Sequence, residues 1–209
     1  MNRQGILITL EGNEGCGKST QIKMLYRYLK KKGKKVFLTR EPGGTKIGDD
    51  IRRVLLDVRN KGMSPLCETM LYMASRAQLV GEVVKPHLAK GEIVLCDRWL
   101  DATVAYQGYG GGVDLRLIGT LGRIATQGIV PKRTVYLDLP VKVGLSRAKK
   151  RHRADRMEKK RVAYLEKVRQ GFLAIARREP GRFKRVVIRE ADSVRTVHER
   201  VLRELKNVL

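Results

Sequence analysis

The chain has 209 residues, 42% of them hydrophobic, which suits one globular domain with a sizeable core; no apolar run approaches the ~20 residues needed to cross a bilayer. The opening MNRQGILITLEG is punctuated too early for an export signal, so a cytoplasmic location with no membrane partner is expected, and the three cysteines (Cys16, Cys67, Cys96) form no C-x-x-C pair, which argues against a disulfide framework or a zinc site. Lys and Arg number 45 against 21 Asp and Glu, a net charge of +24, which raises a polyanion as partner beside the plainer reading of a solvated basic surface.

In chain order, ILITL (6–10) reads as a buried strand. The helix that follows carries Ile22, Leu25, Tyr26 and Leu29 at i, i+3, i+4 and i+7 and ends at Gly33. KVFLT (35–39) is the second strand. It leads into REPGGT (40–45), where Pro42 keeps Glu41 extended and two glycines permit a tight bend; no chemistry is assigned to those side chains. Ser64 caps a helix with Pro65 in its first turn, and the helical pattern runs to about residue 90. EIVLC (92–96) is the third strand, ending at Asp97. RTVYLDL (133–139) is the fourth and KRVVI (184–188) the fifth. Ser193 caps a last helix with an apolar stripe of Val194, Val197, Val201, Leu205 and Val208.

Short strands rich in Val, Ile and Leu, separated by helices, predict a parallel sheet covered on both faces. With no repeat, low-complexity tract or linker, residues 1–209 read as a single domain. Ligands of such sheets bind at the carboxyl ends of the strands, which directs attention to the segments after Leu10, Thr39, Cys96 and Leu139.

Residues 12–19, GNEGCGKS, match G-x-x-x-x-G-K-[ST] between a strand and a helix, the context that makes a P-loop. The backbone of Gly12, Asn13, Glu14, Gly15, Cys16 and Gly17 can converge N–H groups on phosphate. The helix N-terminus at Lys18, Ser19 and Thr20 adds its positive end. Lys18 is placed to reach the β and γ phosphates of ATP, and the Ser19 hydroxyl to ligate Mg2+. Asp97 is the second candidate ligand of Mg2+, directly or through water. Arg98 beside it is a further fixed cation, which points to a phosphorylated acceptor. Glu14 is the anomaly, a carboxylate inside an anion-binding loop.

The blocks EGNEGCGKSTQ, TREPGGTKIGDDIR, MLYMASRAQLV and DRWLDATVAYQG stand in the order and at the spacing of the thymidylate kinase family. The chain resembles that family along nearly its whole length, most specifically in DRW…AYQG. The resemblance implies a P-loop NTPase three-layer α/β fold with a five-stranded parallel sheet. It implies transfer of the γ-phosphoryl group of ATP to dTMP, giving dTDP and ADP, with Mg2+, and a homodimer packed through helices. It also implies roles. Arg98 and Arg52 clamp the dTMP phosphate. Tyr72 stacks on thymine and Arg76 sits at its O4; the two lie four apart, on one helical face. Thr103 and Gln107 complete the base pocket, and Tyr106 packs where a 2′-hydroxyl would stand. Glu14 turns away from ATP and accepts from the 3′-hydroxyl of dTMP. Some family members carry an arginine at the next position; here it is Gly15, so the missing charge is expected from the lid.

Between residues 142 and 185 the chain has 17 basic and four acidic residues, more than half of its excess charge. Within that stretch SRAKKRHRADRME (146–158) resembles the family's lid, at about 147–160. Arg151, Arg153 and Arg156 are the candidates for contact with the transferring phosphoryl group, and Arg147 for stacking on adenine. Lys159, Lys160 and Arg161, where family members often carry acids, are not explained by a lid. Two other readings stand beside this one. One is a kinase of another nucleotide or nucleoside. The other is a P-loop ATPase acting on nucleic acid, which the charge favours; residues 97–107 and the scarcity of aromatic stacking platforms oppose it. The kinase reading requires no nucleic acid.

Overall fold

The computed structural model describes residues 5–149, 156–157 and 162–209. Among these residues five strands form one sheet: β1 (Ile6–Gly12), β2 (Val36–Arg40), β3 (Ile93–Asp97), β4 (Arg133–Asp138) and β5 (Phe183–Val187). Their order is β2-β3-β1-β4-β5 and every pairing is parallel. All five expected strands are present. β1 runs on to Gly12 because its last residues pair with β4, Glu11 opposite Tyr136 and Gly12 opposite Leu137.

Side chains alternate between the two faces of a strand, and here both faces are apolar. On one, Ile8, Leu10, Ile93, Leu95, Val135 and Leu137 meet Ile22, Leu25 and Leu29 of α1 (Lys18–Lys31) and Val197, Val201 and Leu205 of α9 (Val194–Leu205). On the other, Tyr136 and Phe183 meet Leu165, Val168, Phe172 and Ile175 of α8 (Val162–Arg178). Leu7, Val94 and Cys96 on that face meet Leu79 at the end of α3 (Pro65–Leu79) and Val80 and Val84 beyond it. Each fully buried aliphatic side chain of this kind contributes about 1.5–3 kcal/mol relative to exposure. The result is the three-layer α/β arrangement expected.

Local signals behave as their chemistry predicts. Ser64 Oγ accepts from Cys67 N at 3.2 Å, Ser193 Oγ from Thr196 N at 3.0 Å, and Gly33 leaves α1 at φ 73°. Two expectations need correction. The helix from Pro65 is not uniform to residue 90: α3 stops at Leu79, a wider π turn spans Val80–Val84, and α4 (Lys85–Ala89) completes the rod. Pro86, which has no N–H to give to the α ladder, lies two residues beyond the end of the wide turn. Val194 does not join the buried stripe of α9; it is 54% exposed, and the stripe is covered only from Val197 onward.

The remaining helices are α2 (Lys46–Leu56), α5 (Leu100–Thr103), α6 (Leu115–Thr126) and α7 (Val141–Lys149), and a second π segment, Val104–Gly110, continues α5. Several of the basic side chains are partners of buried acids. Asp138, almost wholly buried, accepts from Arg169 Nε and Arg185 Nε, each at 2.8 Å. Asp101 takes both terminal nitrogens of Arg182, at 2.7 and 2.8 Å. Unpaired buried carboxylates would be severely destabilising, so these arginines act in the fold rather than on a partner.

Candidate active site

The carboxyl ends of β1, β2 and β3 open into one cavity of about 280 Å³, the position at which parallel sheets bind ligands. Glu14, Lys18 and Ser19 line it from the first loop, Arg40, Glu41 and Pro42 from the second, and Asp97, Arg98 and Trp99 from the third. Arg52 and Leu56 of α2, Tyr72 and Arg76 of α3, Ala102, Thr103, Tyr106 and Gln107 after β3, and Met157 complete the wall.

In the phosphate loop, Lys18 Nζ lies across the loop, donating to Gly12 O at 2.8 Å and Asn13 O at 3.2 Å. Gly17 has φ 93° and α1 begins immediately after it, so the helix N-terminus faces the loop. The absence of an arginine at position 15 has a steric cause. Gly15 has φ 70°, and a Cβ there would lie 2.1 Å from the Gly144 carbonyl of α7. Any side chain would displace either the loop or α7.

Ser19 Oγ donates to Asp97 Oδ2 at 3.3 Å. A hydroxyl and a carboxylate oxygen side by side at a phosphate loop fit Mg2+, which takes one or two protein oxygens and completes its shell with phosphate and water.

Arg98 links the phosphate loop to the cavity. Nη2 is paired with Glu14 Oε1 at 2.5 Å, Nη1 donates to Gly12 O at 3.2 Å, and the guanidinium lies 5.0 Å from the centre of the Tyr106 ring. Burial works against its charge, but Tyr106, Glu14, Asp97 and Glu11 around it push its pKa well above the ordinary guanidinium value. Glu14 therefore turns out of the loop toward Arg98 and the cavity. Tyr106 is buried, with its phenol pushed up by desolvation, and packs against Phe172 and Tyr164. Arg52 Nη1 donates to Pro42 O at 2.9 Å, and both residues line the cavity.

The cavity wall also holds a network of buried charge. Arg76, 1% exposed, gives Nε and Nη2 to Glu41 Oε2 at 2.8 and 2.5 Å and Nη2 to Thr103 Oγ1 at 3.1 Å. Its guanidinium stands over the Trp99 ring, not over Tyr72. Gln107 Nε2 donates to Glu68 Oε1 at 2.8 Å, and Glu68 Oε2 pairs with Arg156 at 2.5 Å. The REPGGT block, to which no side-chain chemistry was assigned, thus supplies Glu41 as the partner that orients Arg76. Glu68 was missed too, although it lies on α3 at i, i+4 and i+8 with Tyr72 and Arg76, a spacing that puts all three on one face.

The lid arginines divide. Arg151 and Arg153 lie outside the described residues, as do Lys159, Lys160 and Arg161. Arg156 is described. It is buried, its Nε donates to Leu55 O at 2.7 Å, its N–H to Leu56 O at 3.2 Å, and its guanidinium pairs with Glu68. A buried Glu68 requires a counter-charge, and among the described residues Arg156 pairs with it. Arg147, on α7, is exposed enough to donate to Glu190 O at 3.1 Å.

Comparison with known proteins agrees with this geometry. The family model described as thymidylate kinase matches residues 10–201. The chain is 54% identical over 186 residues to the thymidylate kinase of Geotalea daltonii, covering 86% of this chain and 87% of that protein. It is 53% identical over 184 residues to that of Trichlorobacter lovleyi, covering 85% and 87%. The crystal structure of the thymidylate kinase of Ehrlichia chaffeensis superimposes with a TM-score of 0.79 at 31% identity, covering 96% of this chain and 98% of that one. A phosphate loop, Arg98 facing it and a buried polar pocket beside them, joined to these similarities, establish that the chain belongs to the thymidylate kinase family.

Proposed function

We propose that the family's reaction, transfer of the γ-phosphoryl group of ATP to dTMP to give dTDP and ADP, is organised in this chain around Arg98. The observation that carries the reading is the pairing of Arg98 with Glu14, which joins the ATP loop to the acceptor cavity through one pair of side chains. Arg98 and Arg52 hold the acceptor phosphate and aim one of its oxygens at ATP, and such positioning is most of what phosphoryl transfer asks of a protein. Glu14 accepts from the 3′-hydroxyl. Tyr72 stacks on the base, Arg76 with Thr103 and Gln107 reads its edge, and Tyr106 fills the space of a 2′-hydroxyl.

The backbone of residues 12–20 cradles the ATP phosphates, with Lys18 as the mobile cation. Ser19 and Asp97 hold Mg2+, whose charge offsets that of the phosphates. Arg151 and Arg153 remain the lid's candidates for the transferring group, within a single kinase domain whose lid lies at about 147–160; Arg147 remains the candidate for adenine. Arg156 is assigned instead to Glu68 and the acceptor wall.

A homodimer is part of the proposal. Ile47 and Val54 on α2 and Leu66 and Met70 on α3 are exposed apolar side chains on two helices packed against each other, and light scattering on the purified chain tests it. No described helix is long and apolar enough to cross a membrane, and a cytoplasmic location is proposed with the enzyme's role in dTTP synthesis. The decisive experiment measures ADP release from ATP with a panel of nucleoside monophosphates. dTMP is expected to be the preferred acceptor, and equal turnover of a ribonucleotide would overturn the assignment of the pocket.

A further inference from the structure

Glu11 is the last side chain of β1 before the first glycine of the phosphate loop, and it is wholly buried. It lies on the same face of the sheet as Leu7 and Thr9. The neighbouring turn after β3 is unusual, because Arg98, not a glycine, has φ 74°. Two acceptors from β1 hold that turn. The Arg98 N–H donates to Leu10 O at 3.0 Å, and the Trp99 N–H donates to Glu11 Oε1 at 2.7 Å. A side-chain carboxyl here does what a backbone carbonyl does within the ladder. The chain can therefore leave the sheet at Arg98 without leaving the Trp99 amide unpaired. The guanidinium is thereby delivered to Glu14 and to the Gly12 carbonyl.

The second oxygen of Glu11, Oε2, is buried with no hydrogen-bond partner. An anion would be poorly satisfied there. Burial, reinforced by Asp101 and opposed by Arg98, the Trp99 amide and Lys18, pushes the carboxyl up to about 8. A neutral acid or an amide still presents the oxygen that Trp99 uses, so the acceptor atom, not the charge, is what the turn requires.

We infer that Glu11 is a positioning residue of the acceptor clamp: by accepting from the Trp99 N–H it fixes the turn at residues 97–99 and sets where the Arg98 guanidinium meets the acceptor phosphate. The inference rests on the reading of Arg98 as that clamp.

The test compares Glu11→Leu, Glu11→Asp and Glu11→Gln in the full chain. Leucine removes the acceptor; aspartate keeps a carboxyl but is one methylene too short to reach Trp99 N. Both are expected to raise the KM for dTMP about tenfold and lower kcat, with the KM for ATP changed less than twofold. Glu11→Gln is expected to recover most of the loss. Trp99 is the single tryptophan of the chain, so its emission reads the turn directly, shifting in the leucine and aspartate variants and not in the glutamine one. If leucine prevents folding, the aspartate variant decides. Unchanged dTMP kinetics in Glu11→Asp would overturn the inference, as would ATP and dTMP constants that worsen together or a glutamine variant as impaired as leucine. Arg98→Ala separates the two ideas: if it is impaired while Glu11→Asp is not, the clamp stands and the role of Glu11 fails. If Arg98→Ala keeps wild-type dTMP kinetics, the clamp itself is wrong.

Discussion

Arg98 and Glu14 form an ion pair at 2.5 Å between the turn after β3 and the phosphate loop. One residue is the proposed anchor of the acceptor phosphate, and the other is the carboxylate proposed for its 3′-hydroxyl. Their pairing fixes the two side chains relative to one another. Arg98→Ala is expected to lower kcat/KM for dTMP by about a hundredfold or more, the scale on which misplaced reactants lose rate. Glu14→Gln should shrink the preference of the enzyme for dTMP over its 3′-deoxy analogue. Steady-state kinetics with both acceptors reads both effects, and unchanged dTMP kinetics in Arg98→Ala would exclude the clamp.

Tyr106 fills the cavity wall against Arg98, Phe172 and Tyr164. Tyr106→Ala should open room at the sugar and relax discrimination against a ribose acceptor by roughly tenfold, on the scale of a lost steric contact in a pocket. Competition between the deoxyribose and ribose forms of one acceptor measures this; an unaltered ratio counts against the shape block.

Glu41 and Arg76 are both nearly inaccessible, and burial pushes the Glu41 carboxyl up while Arg76 pulls it back. Glu41→Gln leaves a buried guanidinium without its counter-charge. Breaking such a pair costs about 3–5 kcal/mol, and urea unfolding should show a loss on that scale. A loss below 1 kcal/mol, the ordinary value of an exposed pair, would mean the two charges are not mutually dependent.

Gly15 and Gly144 bring the phosphate loop and α7 into backbone contact. Gly15→Ala is expected to raise the KM for ATP and to destabilise the chain by about 1–3 kcal/mol, because the new Cβ meets the Gly144 carbonyl in a left-handed conformation. Thermal unfolding and ATP titration together test this. Unchanged values for both would show that the two segments separate easily.

Glu11 gives a pH dependence with a definite sign. Burial, the largest cause, holds its carboxyl at about 8 against an ordinary value of 4.5. Across that window the folded chain keeps a proton that the unfolded chain has released. The contribution of Glu11 to stability therefore falls as pH rises and levels off above the folded pKa. Glu11→Gln removes the slope and should gain about 2 kcal/mol or more relative to the parent between pH 5 and pH 8. Parallel urea titrations at the two pH values would sink the idea by giving a constant difference.

The sequence by itself determined the layers and the phosphate loop. Alternating strands and helices, the G-x-x-x-x-G-K-[ST] spacing, and the caps at Ser64 and Ser193 are local signals whose physics acts within a few residues. Asp97, Arg98, Tyr72, Arg76, Thr103, Tyr106 and Gln107 were legible as one set through resemblance, and the fold gathers them around one cavity. What only the tertiary structure decided was which charges are partnered. Glu41 with Arg76, Glu68 with Arg156 and Gln107, Asp138 with Arg169 and Arg185, and Glu11 with the Trp99 amide join residues far apart in the chain. No periodicity reports such pairings, because they arise when folding buries a carboxyl and the nearest donor must answer it. Burial likewise ties Arg156 to Glu68, and a separate, steric cause leaves no room for a side chain at Gly15, where a carbonyl 129 positions away in the chain stands too close.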